Sequence, residues 1–229
     1  MDIKLPALYR FFVNHPEGAW VMRPENVQAL YQFVKQNPIK RVLDLGTGIG
    51  CSTAIMALAL ENKGEKDYVI DSYEQTDKCI ALAKKLIPQE LQKNINFIKA
   101  DVKVWKNEAM PYQYFSVFNP TPTGEYDFIL NDGPAPFMEG DKFVDLPNGT
   151  IIQMLINGQL KPGTQIAWDG RVSALKLVER YYGGNFYLVK PSNQNEFNVI
   201  ERKDNEATFA DDLELMMKET TYFKDQQSS

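Results

Sequence analysis

Short apolar segments alternate with helical patterns along most of this 229-residue chain, and this alternation constrains the fold more than any other feature. The short segments are predicted to be strands because they are brief, apolar and bounded by turn residues. They lie at residues 41–46, 67–74, 95–101, 126–133, 163–170, 186–191 and 197–203. Alternation of this kind favours an α/β domain in which a mostly parallel sheet carries helices on both faces.

The last two predicted strands follow one another without a helix between them. "FYLVKP" and "FNVIERK" flank the polar stretch "SNQNE", which predicts a closing antiparallel β-hairpin. The expected organisation is an N-terminal helical lid or substrate segment (1–35), a central domain (36–203) and a C-terminal helix and tail (204–229).

Composition narrows the function classes. The formal net charge is -5, whereas a nucleic-acid-binding face is usually strongly basic, so no nucleic-acid partner is expected. Two cysteines are too few for a disulfide framework, and no stretch approaches the 18 apolar residues of a membrane helix. The start of the chain also lacks the apolar run of a signal peptide. A cytoplasmic protein without a membrane partner is therefore expected.

The stretch "RVLDLGTGIGCSTA" contains a glycine-rich turn between a predicted strand and a predicted helix. Gly46, Gly48 and Gly50 allow sharp turns and a close approach of the backbone to a ligand. The dinucleotide fingerprint requires a third glycine where this chain has Cys51. Asp44 adds a carboxylate close to the turn, which suits a cationic ligand group better than a pyrophosphate.

Acidic residues also end the next two predicted strands. Glu74 precedes a helix and is expected to hydrogen-bond ribose hydroxyls, with Asp71 as the alternative. Asp101 ends the third strand and is expected to contact the base of the same ligand. Together with the glycine turn, these carboxylates suit a ligand that carries an ammonium group, a ribose and a base, and no phosphate.

This combination resembles the class I S-adenosylmethionine-dependent methyltransferases. The resemblance covers roughly residues 25–203 and implies a Rossmann-like, seven-stranded, mostly parallel sheet into which the last hairpin inserts an antiparallel strand. It also implies S-adenosylmethionine as the cofactor, with the glycine turn against its methionine part. The cofactor-binding residues implied are Asp44, Gly46, Thr47, Gly48, Gly50, Ser52, Glu74, Asp101 and Asp132.

The fourth and fifth strand ends, "ILNDGPAP" and "AWDG", resemble those of small-molecule O-methyltransferases, including the metal-dependent type. The resemblance makes these two strands neighbours in the sheet, about 4.8 Å apart. Asp132 and Asp169 are therefore the candidate catalytic residues, and they could share a Mg²⁺ ion that orients a hydroxyl acceptor. Two departures weaken the metal prediction. Gly170 stands where the metal-dependent group usually has Asn, and the expected lysine base is missing from "GPAPF".

The leading hypothesis is a methyltransferase acting on a hydroxyl oxygen of a small molecule. Within the same fold, a nitrogen or a macromolecule is the alternative acceptor. Two other classes are a non-catalytic S-adenosylmethionine-binding module and an NAD-dependent oxidoreductase. The sequence leaves open the identity of the acceptor and the oligomeric state, a homo-oligomer included.

Overall fold

A computed structural model describes residues 3–107, 114–144, 146–169, 172–190 and 197–204. The strands are β1 (Arg41–Leu45), β2 (Val69–Glu74), β3 (Ile95–Lys99), β4 (Asp101–Lys106), β5 (Tyr114–Asn119), β6 (Phe128–Asn131), β7 (Phe137–Glu139), β8 (Lys142–Val144), β9 (Gln165–Asp169), β10 (Phe186–Lys190) and β11 (Phe197–Arg202). The helices are α1 (Leu5–Val13), α2 (Pro24–Gln36), α3 (Cys51–Lys63), α4 (Asp77–Leu86), α5 (Gln89–Gln92), α6 (Thr150–Ile156) and α7 (Val172–Tyr182). Short 3₁₀ turns occupy Gly18–Trp20 and Gly183–Asn185.

The main sheet has seven strands in the order β10-β11-β9-β6-β1-β2-β3. The pairings of β3, β2, β1, β6 and β9 with one another are parallel, whereas β11 pairs antiparallel with both β9 and β10. The predicted Rossmann-like α/β sheet, with a C-terminal hairpin inserted as an antiparallel strand, is confirmed. The predicted adjacency of the fourth and fifth main-sheet strands, β6 and β9, is also confirmed.

Helices cover both faces of the sheet, so both faces are buried. Successive residues of each strand point to opposite sides. Val42 and Leu130 face the cluster that holds α1 to α5, whereas Leu43 and Ile129 face the cluster that holds α6 and α7. Covering both faces explains why β6 is buried at all four of its positions and why burial in β1 does not alternate.

The N-terminal segment shares the core of the central domain. Leu8 and Phe12 of α1, and Leu30 of α2, are buried in the same cluster as α3. The segment therefore packs directly beside the glycine turn, which lies at the start of α3. The predicted C-terminal helix and tail lie outside the described residues.

Two small antiparallel hairpins were not predicted. β4 pairs with β5 in a two-stranded sheet, and β7 pairs with β8 in another. They lie in segments that follow β3 and β6, next to the strand ends that carry the candidate site. Within the described residues, no helix combines the length and hydrophobicity needed to cross a membrane.

Candidate functional site

The glycine turn contains three glycines in left-handed backbone conformations, and they serve two different roles. A Cβ on Gly46 would lie 2.6 Å from the backbone nitrogen of Gly133, and one on Gly50 would lie 2.9 Å from the Ile87 side chain. A Cβ on Gly48 would meet nothing within 4 Å. Gly46 and Gly50 therefore serve close packing of the protein, while Gly48 borders open space that a ligand can occupy.

The turn is fastened to the end of β2. The backbone N–H groups of Gly46 and Thr47 donate to the carbonyl of Tyr73 at 3.0 and 3.1 Å. The Thr47 hydroxyl is buried against Ser72, 2.6 Å away, so this side chain supports the turn from below. The hydroxyl, the N–H group and the carbonyl of Thr47 are therefore all engaged within the protein, and its role in cofactor binding stays a prediction.

Asp44 lies beneath the turn and is fully buried. Its Oδ2 accepts hydrogen bonds from the hydroxyls of Ser52 at 2.9 Å and Thr53 at 2.6 Å. Its Oδ1 is buried without a hydrogen-bond partner. Burial raises the pKa of this carboxyl to about 7, against the lowering effect of the two hydroxyl donors, and the charge of Glu74 raises it further. An unpartnered buried carboxylate oxygen fits a ligand that brings a charged donor such as an ammonium group.

Glu74 ends β2 and contacts the glycine turn directly. Its Oε2 accepts from the backbone N–H of Gly48 at 3.0 Å, and its Oε1 accepts from the N–H and hydroxyl of Thr76 at 2.9 and 3.0 Å. A carboxylate offers about four acceptor positions, so little capacity remains for ligand hydroxyls unless a protein donor is displaced. The alternative residue, Asp71, lies in mid-strand and accepts from Asn96 and Tyr126.

Asp101 is the predicted base-contacting residue, and the structure places it at the first position of β4. Its side chain is 81% exposed and pairs with Lys99 Nζ at 2.9 Å. It is separate from the residues that line the cleft described below.

Asp132 and Asp169 lie side by side at the carboxyl ends of the neighbouring strands β6 and β9. Asn131 of β6 pairs in register with Trp168 of β9, and each aspartate is the next residue toward the carboxyl end. Both side chains are half-buried. The charge of Asp169 acts on Cys51 at the start of α3, whose pKa is raised to about 12, chiefly by burial. The Cys51 thiol therefore stays protonated at neutral pH and is not a candidate nucleophile.

A cleft of about 140 Å³ joins the glycine turn to the fourth strand end. Its lining comes from the N-terminal segment, the turn, α4 and the loop after β6, and comprises Glu17, Trp20, Val21, Met22, Gly46, Thr47, Gly48, Ile49, Cys51, Ser52, Lys78, Cys79, Leu82 and Asp132. Pockets for drug-sized ligands are usually ~300–1,000 Å³, so a whole nucleoside-sized ligand must displace part of this wall.

The N-terminal segment forms the outer wall of this cleft. Glu17 pairs with Lys78 of α4 at 2.7 Å, and both side chains are largely exposed. Trp20 is 95% exposed at the same edge. An exposed ion pair contributes roughly 0–1 kcal/mol to stability, so the Glu17–Lys78 pair holds this wall only weakly. The wall can therefore move to admit a ligand.

Metal-ligating groups are sparse in the part of the chain that the structure describes. It contains no cluster of three or more His, Cys, Asp or Glu side chains arranged to hold a metal ion. The Asp132–Asp169 pair offers two carboxylates, and Oδ1 of Asp169 accepts from Asn26 Nδ2 at 2.5 Å.

Three site residues escaped the sequence analysis. Gly133 packs against Gly46, backbone to backbone. Asn148 Nδ2 donates to the carbonyl oxygen of Gly133 and to Oδ1 of Asn131. Asn26 donates a hydrogen bond to Asp169. The Asp-Gly pair at the end of β6 was a usable signal for Gly133. Nothing local marks the two asparagines, because their partners are distant in sequence.

Comparison with known proteins agrees with this geometry. Residues 13–123 match the family model described as protein-L-isoaspartate(D-aspartate) O-methyltransferase. A search of curated proteins found no match.

Several methyltransferases are among the solved structures with a similar fold. A Podospora anserina methyltransferase bound to S-adenosylhomocysteine (SAH) is 15% identical with a TM-score of 0.59, over 87% of this chain and 88% of that one. An SAH-bound O-methyltransferase from Bacillus cereus is 14% identical with a TM-score of 0.53, over 89% and 93%. The chain has the class I S-adenosylmethionine-dependent methyltransferase fold.

A tRNA (m1A58) methyltransferase from Aquifex aeolicus shares this methyltransferase fold, with 17% identity and a TM-score of 0.50 over 86% of this chain and 76% of that one. Structures with this fold therefore include enzymes with different acceptors. The family match and the fold together support an S-adenosylmethionine-dependent methyltransferase, and the acceptor has to be argued from the site itself.

Proposed function

We propose that this protein transfers the methyl group of S-adenosylmethionine to a hydroxyl oxygen of a small-molecule acceptor. One observation carries the proposal. The cleft beside Gly48 is also lined by Asp132, so the cofactor turn and a carboxylate of the fourth strand end face the same space. A base placed beside the reactive methyl group is what a neutral hydroxyl acceptor needs.

The residues divide into a cofactor side and an acceptor side. Bound S-adenosylmethionine supplies a sulfonium methyl group. The turn at Gly46–Gly50 would hold the methionine part, and the unpartnered Oδ1 of Asp44 would receive its ammonium group. Glu74 would receive ribose hydroxyls in place of one of its present donors, Gly48 or Thr76. Asp101 reaches the adenine only if its exposed side chain leaves Lys99.

On the acceptor side, Asp132 would receive the hydroxyl proton. The bond between the methyl carbon and the sulfonium sulfur would break as the bond to the acceptor oxygen forms, which leaves S-adenosylhomocysteine and the methylated acceptor. Met22, a buried residue of the N-terminal wall, would limit the access of water to the reacting atoms. Positioning and desolvation supply most of the rate enhancement, with deprotonation as the remaining contribution.

The family match favours a second candidate, a carboxylate of a protein. The matched residues end at 123, before β6 and Asp132, and so cover the cofactor half of the site. A carboxylate acceptor is already ionised at neutral pH and would be repelled by Asp132. This repulsion is the reason for preferring the hydroxyl. The net charge of -5 counts against a nucleic acid.

Magnesium dependence is a separate part of the proposal. Two carboxylates on neighbouring strand ends are oxygen donors suited to Mg²⁺, which keeps several waters as its remaining ligands. The Asp132 role in proton transfer does not require the ion, so chelation tests the metal independently.

Binding of SAH, measured by calorimetry, tests the cofactor assignment. Gly48 has a φ of +51°, a conformation that asparagine tolerates better than other non-glycine residues, so Gly48→Asn should keep the turn while filling the ligand's space. We expect binding to be lost in this variant.

Gly64→Asn is the matched control. Gly64 also has a positive φ and open space around its Cβ, but it caps the opposite end of α3. Unchanged SAH affinity in Gly48→Asn, or equal loss in both variants, would contradict the assignment. Turnover with catechol-like and aliphatic alcohols, against an isoaspartyl peptide, then separates the two acceptor classes. Absence of NAD binding excludes the oxidoreductase.

A further inference from the structure

A buried asparagine joins the N-terminal wall of the cleft to the fifth strand end. Asn26 is 2% exposed and lies in the first turn of α2, next to buried Val27. Its Nδ2 donates to Oδ1 of Asp169 at 2.5 Å, across 143 residues of sequence. Its Oδ1 is buried and has no hydrogen-bond partner.

This arrangement is unfavourable for stability. Asn26 does not cap α2, and the other buried residues on the same helix are almost all apolar. A buried carbonyl without a donor loses its hydration and receives nothing in return. An apolar side chain of similar size would remove that penalty but would also remove the hydrogen bond to Asp169, so the two effects oppose each other. The amide is therefore explained by its contact with Asp169 and not by a net gain in stability.

The position of Asn26 in the site better explains why an amide is buried here. Val21 and Met22, three and two residues before the start of α2 at Pro24, line the cleft. Asp169 lies beside the end of β6, where Asp132 follows. The Asn26–Asp169 hydrogen bond therefore connects the cleft wall to the acceptor side of the site. It also places a donor on one oxygen of the Asp169 carboxylate.

We propose that Asn26 is a positioning residue that orients Asp169 and sets the N-terminal wall against the acceptor side of the cleft. The proposal rests on the methyltransferase function proposed above. Asn26 acts through Asp169 on the placement of the acceptor, and it leaves binding of the cofactor to the first two strand ends.

Asn26→Leu gives the decisive comparison. We expect its thermal unfolding midpoint to equal or exceed that of the wild type and its SAH affinity to be unchanged. We expect kcat to fall about ten- to a hundredfold, the size of loss that misplacement of reacting groups produces. Asn62→Leu is the control, because Asn62 also donates one side-chain hydrogen bond to α2, at Tyr31, away from the cleft.

A double-mutant cycle with Asp169→Asn identifies the route. If Asn26 acts through Asp169, the double variant is no slower than Asp169→Asn alone. Multiplicative losses would overturn the proposal. So would wild-type kcat in Asn26→Leu, or a lowered unfolding midpoint that accounts for its lost activity. A wild-type protein that binds no SAH and transfers no methyl group overturns the proposed function as well, and that result is read from the wild type alone.

Discussion

The buried carboxyl of Asp44 should make the stability of this protein fall as the pH rises from about 4 to about 7. Its pKa is about 7 in the native state, and an unfolded aspartate has a pKa of ~3.9. Between these values the native state binds one proton more than the unfolded state, so the free energy of unfolding decreases with pH. Above pH 7 the effect is complete.

The magnitude follows from about 1.4 kcal/mol for each pH unit, which gives about 4 kcal/mol between pH 4 and pH 8. For a chain of this length, that corresponds to roughly 10 °C in the unfolding midpoint. Asp44→Asn removes the titrating group and keeps the size of the side chain. We expect this variant to gain stability relative to the wild type as the pH rises.

Thermal unfolding of both proteins between pH 4.5 and pH 8 measures this difference, and every other titrating group cancels in the comparison. Thr53→Val provides a second check, since losing its 2.6 Å hydrogen bond should move the pH-dependent loss to higher pH. Parallel stability curves for the wild type and Asp44→Asn would refute the reasoning. If the ammonium group of the ligand binds Oδ1, SAH affinity should also weaken as the pH falls below 7.

Three further outcomes are expected. Glu74→Ala should weaken SAH binding about ten- to a hundredfold because charge-assisted hydrogen bonds are lost, whereas Asp71→Ala should not; calorimetry showing the reverse would make Asp71 the ribose ligand. Gly133→Ala should lower the unfolding midpoint, since a Cβ there would lie 2.7 Å from Gly46 Cα, and a normal midpoint would show that the turn yields. Asp132→Asn should reduce turnover by orders of magnitude at unchanged SAH affinity. Loss of activity with EDTA that magnesium restores would show that the reaction depends on a metal ion. Unchanged activity with EDTA would contradict magnesium dependence.

Much of the fold could be predicted because strand length, apolar content and turn residues are local signals. The seven strands of the main sheet and the closing hairpin follow from such patterns, whereas the insertion of β11 between β9 and β10 was implied by the family resemblance. The β4–β5 hairpin was missed because Tyr114–Asn119 is buried at four consecutive positions and lacks the alternation of a half-exposed strand. Its aromatic and β-branched residues were the available signal.

The candidate site was predictable only where a residue lies at or near the carboxyl end of a strand. Asp44, Glu74, Asp132 and Asp169 could be located because parallel strands end at one edge. The sequence could not show that Glu74 is already occupied by Gly48 and Thr76, since this depends on how the turn folds back. Asn26 could not be found at all, because its partner Asp169 is 143 residues away in the sequence.

The contact between Gly46 and Gly133 has a consequence for how such a protein can change over time. Because the two backbones touch without side chains between them, the distance from the methyl donor to the fourth strand end is set by the main chain. No substitution at either position can widen or tilt that gap without breaking the contact. A different ligand must therefore be accommodated by altering the N-terminal wall of the cleft, while the spacing of these two segments stays unchanged.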